Sequence, residues 1–420
     1  RLFANWVILI SAAMAIVVSF AYVDKQRLQA PEYYALILYS AVGMMVMVAA
    51  RELILMFIAL ELMSLTVYAL AAFNRREKRS AEAGLKYFLL GAFASSFFLY
   101  GIALVYGATG STNIDHIAMA VQSGTEVPLL LTIGVLMLTV GFAFKVSVVP
   151  FHMWTPDVYE GAPTPVTAYM SAGVKAAAFV ALFRVFYVAF GGVHDQWGDV
   201  FWWLAVATMV GANVMALAQH NVKRMLAYSS VAHGGYLLVA LVALNEAAAS
   251  GLLFYLLIYA VMNIGAFAIV LVVSNHGEER LQVEDYAGFG WQQPVLGVAL
   301  TVFLLSLAGF PGTGGFMGKV FLLTSAGDAQ LWSLAVILVL TTIASYWYYL
   351  RVAWFMWMRD SRAADAHTGV VAPLALRFML LAGVVFILAT GVFPGIASQF
   401  AQSGGESLVH AGISAAEAAH

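Results

Sequence analysis

The chain has 420 residues, of which 63% are hydrophobic and 10% are charged, and its mean hydropathy is +0.88. A soluble domain is roughly a quarter charged, so this composition excludes a water-soluble fold and indicates a protein whose solvent is the lipid bilayer. The chain has no cysteine, which excludes disulfides, thiolate-ligated iron–sulfur clusters and cysteine-ligated zinc.

Apolar runs long enough to cross a bilayer follow one another along the whole chain. Because roughly 20 apolar residues span the hydrocarbon, about twelve transmembrane helices are expected. The chain opens at Arg1 without an initiator methionine, so we expect its N-terminus to be incomplete. The predicted spans are 3–23, 33–48, 51–73, 81–106, 127–148, 164–190, 200–219, 226–244, 251–274, 295–326, 332–358 and 371–394.

Basic residues in the loops predict how these helices are oriented, because cytoplasmic loops carry an excess of lysine and arginine. When the connections are taken alternately, one set is basic and the other contains only Arg51, apart from Arg1 at the open end. The basic set is therefore predicted to be cytoplasmic, whereas the loop 107–126 and the tail after residue 395 are predicted to lie outside. The basic set comprises Lys25, Arg27, Arg75, Arg76, Lys78, Arg79, Lys223, Arg224, Arg280, Arg359 and Arg362.

Glu61 is the only acidic residue predicted near the middle of a span. A carboxylate in the middle of the membrane costs at least about 2.5 kcal/mol on insertion scales. A cationic partner, a proton or water must therefore offset that cost. A single buried ion pair that fixes helix packing is the alternative interpretation.

Seven basic side chains also fall inside predicted spans. The three arginines lie near helix ends, where snorkelling to the interface accounts for them, and one lysine is close enough to its helix start to snorkel too. Arginine stays charged in a protein, whereas buried lysine readily loses its proton. A chain with one central glutamate and several buried lysines therefore has the groups needed for proton exchange. The seven are Lys86, Lys145, Lys175, Arg184, Lys319, Arg351 and Arg377.

Two of the predicted spans are broken. Pro150 removes a backbone donor from one helix, and the stretch PGTGG at 311–315 interrupts another more severely. Unpaired backbone survives at membrane depth only where protein or water satisfies it, and transporters use such broken helices at their sites. Lys145 precedes the first break and Lys319 follows the second. A simple proline kink would explain one such break, but it explains two lysine-bearing breaks poorly.

The spans between and around the breaks predict an internal repeat. Two successive sets of five helices each carry the break in the fourth helix. Because five is odd, the second set runs inverted relative to the first, as in many ion translocators. The sequence therefore predicts an all-α polytopic membrane protein with an N-terminal spanning helix at 1–32, a first five-helix repeat at 33–190, an inverted second repeat at 200–358, and a C-terminal helix and tail at 371–420.

Four stretches resemble the antiporter-like membrane subunits of respiratory complex I. They are GLKYFLLGAFASSFFLYG at 84–101, FKVSVVPFHMWTPDVYEGAPTPVTAYMSAGVKAAAFVALFRVF at 144–186, NVKRMLAYSSVAHGGYLLVAL at 221–241 and LSLAGFPGTGGFMGKVFLL at 305–323. Within that family, PDVYEGAPTPV together with Lys175 is similar to the branch called subunit N. Members of this type have fourteen helices, whereas about twelve are predicted here. The resemblance implies that the missing helices belong at the N-terminus.

The resemblance implies proton translocation driven by quinone reduction elsewhere in the complex. It implies that NADH, flavin, iron–sulfur clusters and quinone bind partner subunits and that this chain carries no cofactor. It also implies contact with other membrane subunits, including another antiporter-like subunit, and with lipids, no binding of nucleic acid, and a multi-pass location in a bacterial inner membrane. The implied proton-transfer residues are Glu61 with Lys86 near the inlet, Lys145 in the first broken helix, His152 after that break, Lys175 as the connecting lysine, and Lys319 near the outlet.

We expect Glu61 to act as a charge gate on this relay. When Glu61 pairs with Lys145, that lysine stays charged; when it swings toward Lys86, Lys145 passes its proton on. The spacing between successive lysines is too long for direct transfer, so buried water must bridge them.

The histidines are open to more than one interpretation. His152 either relays a proton or caps backbone groups freed by the break, whereas His233, between small residues, is interpreted as structural. No histidine and carboxylate have metal-ligand spacing inside a span. No GxGxxG follows a strand and no phosphate loop occurs, so the sequence itself predicts no binding of NADH or flavin.

Two other functions fit parts of the pattern. A subunit of a multisubunit sodium/proton antiporter or of a membrane-bound hydrogenase would share the broken helices and the buried lysines. A membrane scaffold would instead use the same charges as fixed ion pairs. In the first case sodium would drive exchange without redox input, and in the second the charges would matter for assembly alone.

Overall fold

The computed structural model describes residues 2–124, 128–274, 280–360 and 372–417, and the fold within these ranges is helical. Ten of the described helices are long and apolar enough to cross a membrane, and Leu129–Lys145 and Pro294–Ala308 are shorter apolar helices. Together they account for the predicted spans, so the all-α polytopic fold is confirmed. Arg1 and Arg362, which entered the loop-charge pattern, lie outside the described residues.

Within residues 2–124 and 128–193, the chain forms nine α-helices. They are α1 (Leu2–Gln26), α2 (Ala30–Ala49), α3 (Leu53–Ala71), α4 (Lys78–Thr109), α5 (Ile114–Ser123), α6 (Leu129–Lys145), α7 (Thr155–Gly161), α8 (Thr164–Tyr169) and α9 (Lys175–Arg184). A π-helical turn, Met170–Val174, joins α8 to α9, and a second π turn, Val185–Ala189, extends α9. Thr164–Ala189 is therefore one continuous membrane span.

The second half forms nine more α-helices within the described ranges. They are α10 (His194–Leu217), α11 (Val222–Ala243), α12 (Glu246–Val273), α13 (Phe289–Gln292), α14 (Pro294–Ala308), α15 (Gly314–Asp328), α16 (Trp332–Met358), α17 (Leu374–Val392) and α18 (Gly395–Glu417). Short 3₁₀ turns precede α10 and α13.

Both predicted helix breaks are present. The first separates α6 from α7 and the second separates α14 from α15. The sequence missed α5, which forms inside the predicted outer loop, and α18, which forms in the predicted outer tail. The side chain of Asn113 caps α5 by accepting hydrogen bonds from the backbone N–H groups of Asp115 and His116. Neither helix could be found by a search for apolar spans, because α5 is short and α18 is not apolar enough to cross.

Within the described residues, each half of the molecule contains one isolated backbone bridge, and the two bridges occupy equivalent positions. Glu52 pairs antiparallel with Asn113, and Asn221 pairs antiparallel with Gln282. Each bridge joins the start of the second helix of its set to the loop after the third helix. Because equivalent helices are offset by five spans, which is an odd number, the two bridges lie at opposite ends of the helices. This is the arrangement that an inverted repeat requires.

The interior of the molecule is formed by Thr164–Ala189 together with α11 and α12. These three spans are 94%, 100% and 83% buried, whereas α17 is 28% buried and turns most of its side chains outward. Lys175 and His233, which lie on two of these spans, are enclosed by protein.

Arg184 corrects one expectation from the sequence. Its side chain is 1% exposed and does not snorkel to the interface. Its Nη1 donates hydrogen bonds to the carbonyl oxygens of Val48 at 2.9 Å and Ala50 at 2.7 Å. These carbonyls end α2 and have no partner within the helix, so the buried guanidinium caps them.

Candidate functional site

Lys145 is the last residue of α6 and turns away from the break toward α3. Its side chain is buried, and its Nζ donates hydrogen bonds to Ser64 Oγ at 2.7 Å and Tyr68 Oη at 3.0 Å. The amine also lies 5.2 Å from the centroid of the Tyr68 ring. Hydroxyl groups both donate and accept hydrogen bonds, so this pocket accommodates either protonation state of the amine.

Aromatic packing fixes the position of Tyr68. Its ring meets Tyr87 edge-on at 4.6 Å, and Tyr87 stacks on Trp154 at 4.2 Å. The Trp154 Nε1–H donates to the carbonyl oxygen of Phe144 at 3.1 Å. A Cβ added at Gly91 would lie 1.9 Å from the Tyr68 hydroxyl oxygen, so only glycine leaves room for that hydroxyl.

Glu61 lies on α3, three residues before Ser64 and seven before Tyr68, which puts the three on one face of the helix. Its Oε1 accepts a hydrogen bond from Ser95 Oγ at 2.5 Å, and the side chain is half-buried. Within the described residues no basic group lies within 4.0 Å of this carboxylate. In this arrangement, Ser64 lies one helical turn from Glu61 and also contacts Lys145.

Lys86 lies near the start of α4 and is 42% exposed. Its Nζ pairs with Glu82 at 2.8 Å and with Asp157 at 2.9 Å. Asp157 also accepts a hydrogen bond from Arg224 at 2.8 Å. Lys86 therefore pairs with Glu82 and Asp157, and no ion pair joins it to Glu61 within the described residues.

The first break leaves polar side chains without partners. Ser147 adopts a left-handed conformation at φ 60°, and the Val148 N–H donates back to the Ala143 carbonyl at 3.0 Å, which closes the end of α6. The peptide bond between Val149 and Pro150 is cis. Among the described residues, neither Ser147 Oγ nor His152 Nδ1 has a hydrogen-bond partner, although both atoms are buried.

Lys175 is the first residue of α9 and directly follows the π turn. Its side chain is 1% exposed, and its Nζ donates hydrogen bonds to the Ser230 carbonyl at 2.5 Å and to Ser230 Oγ at 2.6 Å. The ring centroid of Tyr259 lies 5.9 Å from the amine. One turn further along α12, Asn263 Oδ1 is buried and has no hydrogen-bond partner among the described residues.

Lys319 lies on α15 but folds back across the second break. Its side chain is 4% exposed, and its Nζ donates hydrogen bonds to the carbonyl oxygens of Leu307 at 3.2 Å and Ala308 at 2.9 Å. These carbonyls end α14 and have no partner within that helix. The amine also lies 4.8 Å from the ring centroid of Tyr236 on α11.

His233, which the sequence suggested to be structural, is enclosed between two tyrosine hydroxyl groups. Its Nδ1 is hydrogen-bonded with Tyr255 Oη at 2.7 Å and its Nε2 with Tyr349 Oη at 3.2 Å. Along α11, His233 lies three residues after Ser230, which binds Lys175, and three before Tyr236, which faces Lys319. The spacing S-x-x-H-x-x-Y in SSVAHGGY was the signal available in the sequence, since residues three apart share a helix face.

The structure thus brings the predicted residues into separate pockets along the broken helices and the central span. No hydrogen bond joins one of the four lysines directly to another within the described part of the chain. In the same ranges, no group of three or more His, Asp or Glu side chains has a metal-binding arrangement.

Comparisons with known proteins agree with this geometry. A family model described as NADH:quinone oxidoreductase/Mrp antiporter, TM, matches residues 50–345, which is more than half of the chain. The chain is 48% identical over 402 residues to the NADH-quinone oxidoreductase subunit N of Trichlorobacter lovleyi, covering 96% of this chain and 82% of that one. The chain belongs to the NADH:quinone oxidoreductase/Mrp antiporter family.

Further members of this antiporter family give the same result. The subunit N 2 of Koribacter versatilis is 47% identical, with 97% of this chain and 82% of that one covered. A chain of the respiratory complex I from Thermus thermophilus matches with a TM-score of 0.79 at 35% identity, covering 94% of this chain and 86% of that chain. The resemblance to the antiporter-like subunits and to their subunit N branch is therefore confirmed.

The antiporter fold is also found outside complex I. A chain of the Mrp complex from Dietzia matches with a TM-score of 0.85 at 23% identity, covering 97% of this chain and 84% of that one. At that identity the likeness shows the fold alone. This chain is a multi-pass membrane protein, and the relatives and structural neighbours named here are subunits of multisubunit membrane complexes.

Proposed function

We propose that this chain is the proton-translocating subunit N of an NADH:quinone oxidoreductase, in which quinone reduction on partner subunits drives proton transfer through buried lysines. One observation carries the proposal. Lys145, Lys175 and Lys319 are all buried, and each is hydrogen-bonded to uncharged oxygen atoms, with no carboxylate within 4.0 Å in the described residues. A buried ammonium without a counter-charge is costly, and lysine, unlike arginine, can lose its proton.

The same observation argues against a scaffold. Fixed ion pairs would need carboxylates beside these three lysines, and the described residues supply hydroxyl and carbonyl groups instead. Replacing a lysine should therefore change proton transfer in complexes that still assemble.

The proposed route runs from Glu61 through Ser64 to Lys145, and from there to Lys175. From Lys175 it continues along one face of α11, where Ser230, His233 and Tyr236 lead to Lys319. We infer that internal water connects these groups. Buried polar atoms almost always have hydrogen-bond partners, and water supplies them where protein does not. Buried atoms that find no partner among the described residues include Ser147 Oγ, His152 Nδ1 and Asn263 Oδ1.

Glu61 is proposed as the gate of this route, because it shares a helix face with the two hydroxyl groups that hold Lys145. The test is Glu61→Gln in the assembled complex, with proton pumping measured in inverted vesicles and quinone reductase activity measured with an uncoupler present. We expect pumping to fall while uncoupled activity is retained. The matched control is Glu32→Gln, which removes an exposed carboxylate at the start of α2. Wild-type pumping in Glu61→Gln would end the gate hypothesis.

We further propose the environment of the subunit. Its division into 1–32, 33–190, 200–358 and 371–420 follows the repeat, with Lys86 near the inlet of the route and Lys319 near its outlet. NADH, flavin, iron–sulfur clusters and quinone would bind partner subunits. Other membrane subunits, including a second antiporter-like one, and lipid would cover the exposed apolar faces in a bacterial inner membrane, and no nucleic acid would bind.

The alternative function, exchange of sodium for protons, is favoured by the matching family model, whose description includes the Mrp antiporter. The two functions differ in their driving force. Vesicles that contain the complex should form a pH gradient when NADH is added and should not do so when a sodium gradient alone is imposed. The opposite result would favour the antiporter.

A further inference from the structure

Charged side chains at the start of α4, on α7 and at the start of α11 form one connected cluster at the predicted cytoplasmic surface. Arg224 Nη1 contacts Asp157 Oδ1 at 2.8 Å and Glu160 Oε2 at 2.9 Å, and Glu160 Oε1 accepts a hydrogen bond from Asn221 at 3.1 Å. Lys86 Nζ contacts the second oxygen of Asp157, Oδ2, at 2.9 Å. The cluster therefore connects the first repeat to the second.

Asp157 is the central member of this cluster. Each of its two carboxylate oxygens binds a different cation, one on α4 and one on α11. Its own helix, α7, is the second half of the first broken helix, and Trp154, just before that helix, packs on Tyr87 beside the Lys145 pocket. Asp157 thus lies where the two repeats and the first break meet.

The packing of α3 against α4 sets the distance between Lys86 and Glu61. The hydrogen bond from Ser95 places Glu61 level with that serine. Lys86 precedes Ser95 by nine residues on α4, which at 1.5 Å per residue is roughly 13 Å along the helix.

Side-chain direction increases this separation. Side chains lean toward the N-terminus of their helix, and the antiparallel helices α3 and α4 begin at opposite ends. Lys86 and Glu61 therefore lean away from each other, whereas Asp157 is in direct contact with Lys86.

We propose that Asp157 is a positioning residue for proton uptake, which holds Lys86 at the predicted cytoplasmic surface and must release it before Lys86 approaches Glu61. Arg224 anchors Asp157, so the position of the inlet lysine depends on the second repeat. This inference rests on the proposed function, because it assigns a role within the same proton route.

The test uses the intact complex reconstituted into vesicles, with protons pumped per NADH oxidised as the readout. We expect Asp157→Asn to lower this ratio about two- to fivefold, the range for losing one partly exposed ion pair. Asp157→Glu keeps the charge and should restore most of the ratio. The matched control is Asp115→Asn, which removes a partner of Arg51 at 3.6 Å on the opposite side of the molecule.

The double variant Asp157→Asn with Lys86→Gln distinguishes positioning from general packing. If Asp157 acts through Lys86, the double variant should pump no worse than Lys86→Gln alone, because coupled residues are not additive. Additive losses would overturn the proposal. Failure of Asp157→Asn to assemble, when Lys86→Gln assembles normally, would also overturn it, because Asp157 would then be structural.

Lys145→Ala, measured in the same vesicles, separates this inference from the proposed function. Normal pumping in Lys145→Ala would refute the lysine route itself. Impaired pumping in Lys145→Ala together with normal pumping in Asp157→Asn would refute only the role of Asp157.

Discussion

The two broken helices end in the same way but use their lysines differently. At the first break, Ser147 adopts a left-handed φ of 60° and the next N–H closes the helix end; at the second, Gly309 does so at φ 85°. Lys145 turns away from its break to the hydroxyl groups of α3, whereas Lys319 returns across its break to the last carbonyls of α14.

Side chains bind freed backbone groups at both breaks; at the first, Thr208 Oγ1 accepts a hydrogen bond from the Val149 N–H at 3.0 Å. Tyr346 Oη donates to the Gly309 carbonyl at 2.9 Å, and the Gly315 N–H donates to Ser306 Oγ at 3.1 Å. In the described part of the chain, the first break also holds two buried side-chain atoms without hydrogen-bond partners, Ser147 Oγ and His152 Nδ1. Broken helices in a membrane must be satisfied by protein or by water. The comparison therefore indicates a hydrated first break, and a second break whose lysine is both a cap and a candidate proton carrier.

Replacing the two lysines by methionine should separate these roles most strongly. Lys319→Met leaves two buried carbonyls without a donor. Each unsatisfied group should lower the stability of the folded protein by about 1–3 kcal/mol. Lys145→Met leaves Ser64 bonded to the Leu60 carbonyl and should cost less. We expect a large loss of assembled complex on native gels for Lys319→Met and a small loss for Lys145→Met. Equal losses would contradict the difference between the breaks.

Lys319→Arg is the control for that prediction. Arginine keeps the donors that cap α14 but stays charged. Assembly should therefore recover while proton pumping remains low. Recovery of both would show that Lys319 need not lose its proton.

Gly91→Ala should disturb the Lys145 pocket without touching the lysine. The added Cβ would lie 1.9 Å from the Tyr68 hydroxyl oxygen, so Tyr68 must shift and the lysine loses one of its two partners. We expect a several-fold loss of pumping, because one hydrogen bond contributes about 1 kcal/mol. Assembly should be largely retained. Gly107→Ala on the same helix is the control, since its Cβ would meet only the end of Leu130 at 3.3 Å. Normal pumping in Gly91→Ala would mean that Tyr68 is dispensable.

Substitutions at Ser147 and Gly309, two left-handed residues at the breaks, should give the smallest effects. Their effects on thermal stability should have opposite signs. Ser147→Gly removes the cost of a left-handed non-glycine residue, about 1 kcal/mol, together with a buried hydroxyl that lacks a partner among the described residues. Gly309→Ala adds a similar backbone cost at the second break, and its Cβ would lie 3.0 Å from Lys319 Cδ, so that side chain must also shift. The midpoint of thermal unfolding in detergent should rise slightly for Ser147→Gly and fall for Gly309→Ala. A fall in both would indicate that the Ser147 hydroxyl is held by a strong water contact.

Much of the molecule was determined by the sequence alone. Composition and apolar run length gave the membrane fold and its spans, because both are set by the thickness of the bilayer. Pro150 and the PGTGG stretch gave the breaks, because both act on the local backbone. The motif resemblance gave the family, which the comparisons confirmed.

The partners of the charged side chains were decided only by the tertiary structure. Lys145 meets Ser64 across 81 residues of sequence, and Lys86 meets Asp157 across 71. No local pattern states which helices touch, and in a bilayer the apolar faces of different spans look alike. The role of Lys319 as a cap was hidden for a related reason. Its partners are near in sequence, but they come within reach only because the turn at Gly309 directs α15 back beside the end of α14.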